Sequence, residues 1–156
     1  MKLNVSGIDA IVEDMKRMHQ LSGEAAKAVL YAGGNELQRA WIDEAQKRNH
    51  IRSGDMLKSI GQTRIRTIDG GLRLDVYPQG NSRPRGKKNI KTKNTVKAFV
   101  LNNGREGKRP IKGDKWVEKL FENSTGKTNS AMADTWGKFV QTGTVPNVTQ
   151  LKKDKK

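Results

Sequence analysis

The stretch "HIRSGDMLKSIG", residues 50–61, divides the chain. Before it, apolar residues recur every three or four positions, the spacing of a helix. After it they recur every second position, the spacing of a strand. Ile51 and Arg52 form a link at the junction, and Ser53 can cap a short turn running through Gly54 to Ser59. Gly54 permits a sharp change of direction because it has no Cβ to clash. Leu57 and Ile60 point inward and seal the corner between helix and sheet. The stretch therefore reads as a structural corner, and the chain as α+β.

Upstream, residues 23–48 predict a long helix with Ala25, Ala26, Val29, Leu30, Leu37, Trp41 and Ala45 on its buried stripe. Gly33 and Gly34 sit in its middle, where each costs about 1 kcal/mol relative to Ala. Close approach of a neighbouring backbone, or a kink, would compensate. A shorter helix is expected ahead of it, with Ile8, Ile11, Val12, Met15, Met18 and Leu21 on one face and a break at Ser22–Gly23.

Downstream, "QTRIRTI" and "GLRLDVYP" predict two strands with Ile65, Leu72, Leu74 and Val76 on one face. Asp69-Gly70-Gly71 between them is a hairpin signal. "TVKAFVLNN" reads as a third strand through Val96, Ala98 and Val100. Between the second and third strands lies "PQGNSRPRGKKNIKTKN", a long loop carrying Arg83, Arg85, Lys87, Lys88, Lys91 and Lys93 and no acid. "GREGKRPIKG" is a second basic turn. A helix capped by Asp114 follows, with Trp116, Val117, Leu120 and Phe121 apolar, and then a last helix, "SAMADTWGKFVQ". Residues 1–142 form one domain in this reading, and 143–156 a flexible basic tail.

Bulk composition narrows the function. Of 156 residues only 33% are hydrophobic and 5% aromatic, lean for a self-sufficient monomer. Part of the apolar surface is thus expected to be buried between copies. Lys and Arg number 31 against 16 acids, a net charge of +15 that favours an anionic partner. No cysteine is present, which excludes disulfides, thiol catalysis and cysteine-held metals. The first residues lack the apolar run of a signal peptide, and no stretch reaches the roughly 18 apolar residues that span a bilayer.

Reactive chemistry finds no footing. "FENSTGKT", residues 121–128, ends like a phosphate-binding loop, but Phe121 stands where the first glycine is required and helix precedes it. His19 and His50 have no carboxylate or histidine at ligand spacing, so no metal site is expected. No catalytic residue, cofactor or enzymatic activity is predicted. The basic loop lacks interleaved aromatics for stacking on single strands. It would hold phosphates or an acidic protein face without reading sequence.

The order of segments resembles the tailed-bacteriophage neck and tail-completion proteins. These are the head-tail joining or minor tail components of lambdoid siphophages and related prophages. Arg52, Ser53, Gly54, Leu57, Ser59 and Ile60 match that family's corner motif. Asn102, Asn103 and Gly104 match its later turn, and Trp116, Val117 and Leu120 its hydrophobic C-terminal helix. The resemblance implies a structural virion protein, made in the bacterial cytoplasm and placed at the head-tail interface. There it would form a homo-oligomeric ring around the DNA channel. Its partners would be other neck, connector or tail proteins, with sequence-independent contact to double-stranded DNA and no membrane. The alternative is a stand-alone basic nucleic-acid-binding protein, which charge alone supports.

Overall fold

The computed structural model describes residues 6–50, 54–83 and 91–150, with residues 6–12 as helix backbone only. The architecture is α+β: two long helices, two short ones and three small antiparallel strand pairs. Helix α1 (Ser6–Lys47) is a single element of 42 residues, about 60 Å long. The break expected at Ser22–Gly23 is absent. Ser22 Oγ donates to His19 O at 2.6 Å, so the hydroxyl is satisfied within the helix instead of capping a new one. The helix ends where Asn49 takes φ 60° and His50 N donates to Ala45 O at 2.9 Å.

The corner follows. Helix α2 (Asp55–Ser59) leads directly into β1 (Ile60–Gln62). The expected two-stranded hairpin is interrupted. Strands β2 (Arg66–Ile68) and β3 (Gly71–Arg73) pair at its tip, while β1 pairs with β4 (Val76–Pro78) at its base. Asp69 and Gly70, φ 51° and 76°, form the tip turn, since Ile68 faces Gly71. The predicted apolar face holds only toward the base: Val76 is buried and Leu74 packs on the core, but Leu72 is 37% exposed. Toward the tip the ribbon leaves the body, and charge holds it. Asp75 accepts from Arg73 Nε at 2.7 Å and Arg66 Nη2 at 2.6 Å.

"TVKAFVLNN" is helix α3 (Asn94–Asn103), not a third strand. The residues it buries are Asn94, Ala98 and Asn102, a spacing of four. Alternation of Val96, Ala98 and Val100 misled because the buried stripe is largely polar. Asn94 Nδ2 donates to Gln79 O at 3.0 Å, and Asn102 Oδ1 accepts from Val117 N at 2.9 Å. Strands β5 (Gly104–Arg105) and β6 (Ile111–Lys112) then form a short hairpin.

Helix α4 (Trp116–Thr142) is one element of 27 residues, where two helices were expected. Thr125 Oγ1 donates to Phe121 O at 2.6 Å, so the Ser-Thr-Gly stretch continues the helix. Lys115, φ 54°, occupies the N-cap position expected of Asp114, whose carboxylate instead meets His50 Nε2 at 3.1 Å. Trp116 packs edge-on against Trp41 with centroids 5.1 Å apart, and Met132 lies over Gly33, so α4 runs antiparallel to α1. Trp41, Ala45, Met56, Ile60, Val76, Ala98, Trp116 and Leu120 form the core.

Residues 143–150, expected within a flexible tail, lie back on the body. Asn35 Nδ2 donates to Thr149 O at 3.0 Å and Gln150 Nε2 to Thr63 O at 2.8 Å.

What lies against the glycine pair in α1 is side chain from two neighbouring elements, not the neighbouring backbone expected. A Cβ on Gly33 would fall 2.7 Å from Met132, and one on Gly34 2.8 Å from Leu74 Cδ2 and 2.9 Å from Gln62 Oε1. Gly34→Val will therefore force the hairpin off α1 and cost roughly 1–3 kcal/mol, read as a lowered Tm. A second expectation concerns pH. The Arg73 guanidinium above all, with Arg66, holds the Asp75 carboxyl below the usual range, against the opposing pull of burial. The stability this adds is present above the ordinary carboxylate pKa of about 4 and is lost as pH falls through the lowered value. Asp75→Asn will lower Tm at neutral pH and flatten the acid limb of a Tm-versus-pH curve.

Candidate interaction surfaces

Gly54 has φ +66° and stands at the N-cap of α2 without a side-chain cap bond. This left-handed conformation is what the motif glycine supplies. Arg52 and Ser53 lie outside the described residues, so the expected Ser53 cap does too. Met56 is buried at the corner beside Ile60, which is 1% exposed, while Leu57 packs on the core. Ser59 Oγ donates to Met56 O at 2.7 Å, and Ser59 O accepts from Gln79 N at 2.9 Å. The motif thus fastens α2 to β4. Trp116 and Leu120 are fully buried and Val117 packs beside them.

The basic loop is pinched at its base. Asn81 bridges Lys93, and Ser82 N and Oγ both donate to Thr92 O, at 2.9 and 3.1 Å. Arg83, Lys91 and Lys93 are exposed at this neck, and Arg83 Nε lies 3.6 Å from Asp55 Oδ1. Arg85, Lys87 and Lys88 lie outside the described residues. The β5–β6 hairpin is a further basic segment, with Arg105, Lys108, Arg109 and Lys112 all exposed. Gly104, φ +85°, sets its base; a Cβ there would meet Ile111 O at 2.7 Å.

Helix α3 separates two clefts. On one flank Thr95, Ala98 and Phe99 face Tyr77, Pro78 and Val117 across an apolar cleft of about 220 Å³. Phe99 is 66% exposed and Tyr77 37%. On the other flank Val96, Lys97, Val100 and Leu101 face Met56, Ile111 and Arg105 across about 330 Å³. The strand reading of α3 hid both, because it split helical neighbours between opposite faces.

Phosphate-loop chemistry has no seat at residues 121–128, which lie inside α4 with their amides in the helix ladder. Among the described residues no group of three His, Asp or Glu could hold a metal. His50 serves as a brace: it meets Asp114 and packs edge-on to Trp116 with centroids 5.3 Å apart. Among the described residues no helix is long and apolar enough to cross a membrane.

Gly54→Val will cost about 1–2 kcal/mol through backbone strain alone, since only Lys58 Cε, at 3.9 Å, comes near an added Cβ. Gly54→Asn will recover most of the lost Tm, because Asn tolerates this conformation. No protein-family model, curated protein or solved structure matches the chain.

Proposed function

We propose that this chain is a structural virion protein of a tailed phage, forming a ring in the neck where head meets tail. Its reaction is assembly, and no cofactor enters. The observation that supports this most is Phe99, two-thirds exposed over an apolar cleft with Tyr77 beside it. An exposed aromatic of this kind is suited to the centre of a protein interface. The apolar seam lies on a chain of net charge +15, whose two basic segments suit an acidic protein face or duplex phosphates lining a channel. The resemblance carried by the corner motif, the Asn102–Gly104 turn and the Trp116 helix points the same way.

Light scattering after size exclusion, with negative-stain imaging, tests the proposal. The wild type will form closed oligomers, alone or with its connector. Phe99→Asp will abolish them with an unchanged Tm, since the side chain is solvated in the isolated chain. Replacing Arg83, Arg85, Lys87 and Lys88 by Ser will spare the fold and impair particle joining or DNA retention. A persistent monomer that binds nucleic acid tightly at low salt would favour the stand-alone binder instead.

A further inference from the structure

We infer that the cleft between α2, α3 and the β5–β6 hairpin receives the acidic N-terminal arm of α1 from a second copy of the chain. The inference rests on the proposal that copies assemble, and it identifies one contact between them.

The cleft has an apolar floor and a cationic rim. Met56, Val96, Val100 and Ile111 line it, with Lys97 and Arg105 at its edge. None of its described lining residues is acidic. A fitting occupant presents a large apolar side chain beside carboxylates. Along the whole sequence, one stretch uninterrupted by Lys or Arg carries three carboxylates. It lies between Lys2 and Lys16-Arg17 and holds Asp9, Glu13 and Asp14 among Ile8, Ile11, Val12 and Met15.

This arm is available to a neighbour. Glu13, Asp14 and Met15 are exposed, and Met15 is 66% so. Glu13 pairs with Lys16 at 3.1 Å, an exposed pair of little worth that a better partner displaces. Geometry then restricts the contact. His50, which closes the C-terminal end of α1, lines the cleft, while the arm is the opposite end of the same helix. Asp9, Glu13 and Asp14 stand about 50–57 Å along the helix from Lys47, so an arm cannot reach its own cleft. A contact between unlike ends is heterologous, and repetition closes a ring or extends a filament.

Sedimentation velocity on full-length chains tests this by charge exchange. Variant one carries Glu13→Lys and Asp14→Lys; variant two carries Lys97→Glu and Arg105→Glu. Each alone will assemble at least tenfold more weakly than wild type, and a one-to-one mixture will recover wild-type assembly. A fluorescein-labelled peptide of residues 3–20 supplies the readout independent of assembly. It will saturate the wild-type chain by anisotropy and bind the Lys97→Glu/Arg105→Glu chain at least tenfold more weakly. Failure of the peptide to saturate, equal binding to both chains, or its displacement by duplex DNA overturns the contact. So does wild-type assembly by both variants, though self-assembly would then stand on the Phe99 face. A wild-type chain that still sediments as a monomer at concentrations above the peptide's Kd likewise overturns the contact between copies.

Discussion

Two adjacent glycines in α1 let side chains from α4 and from the hairpin lie directly against its backbone. Gly33 faces α4 through Met132, and Gly34 faces the hairpin through Leu74 and Gln62. A side chain at either position would require Met132, or Leu74 and Gln62, to shift. The helix gives up about 2 kcal/mol of propensity for the pair. What offsets it is contact on both sides of one helix at one level, so that α4 and the sheet are gauged against the same backbone. Toward the corner the core is filled by Trp41, Trp116 and Ile60.

The closeness also explains why polar side chains line the seam between α1 and the hairpin. Gln62 Nε2 donates to Asn35 Oδ1 at 2.6 Å and to Gln38 Oε1 at 3.2 Å, and Gln38 Nε2 reaches Ile60 O at 3.3 Å. Buried amides of this sort are costly unless bonded, so each arrangement that breaks one is disfavoured. The bonds fix the register of β1 on α1 more sharply than a greasy contact would. The same ladder catches the segment after α4 through Asn35 and Gln150. A stretch with no helical or strand pattern is thus placed by side-chain amides from elements distant in sequence.

What the sequence disclosed follows the same physics. The turn from Gly54 to Ser59 and the Asp69–Gly70 turn were legible, because each rests on a local backbone requirement, while at Gly33–Gly34 the crowding was legible but not that side chains supply it. Helix ends in polar stretches were not. Ser22 and Thr125 are capping types, yet each hydroxyl bonds a carbonyl three or four residues back and the helix continues. The worst misreading was α3, whose buried positions are Asn94, Ala98 and Asn102. Hydrophobic periodicity sees only apolar residues, so a stripe of two amides and one methyl leaves no signal. Its amides matter through partners some fifteen residues away, which no local window contains. Of the candidate surface, the basic loop was evident as charge. The two clefts were not, since they exist only once α3 is a helix.

With α3 a helix, the polarity of the molecule becomes a consequence of its longest element. The 42-residue rod carries Asp9, Glu13 and Asp14 near one end, between Lys2 and Lys16-Arg17, while α4 and the hairpin pack toward its other end, at Gly33, Gly34, Gln38 and Trp41, before the corner. In the proposed contact the three carboxylates of one copy meet Lys97 and Arg105 of the next, a head-to-tail arrangement in which opposite signs come together. The described basic residues near the corner, Arg83, Lys91, Lys93, Arg105, Lys108, Arg109 and Lys112, are all exposed. One stiff helix thereby sets two surfaces apart, and a lean core is consistent with a chain whose neighbours complete its burial.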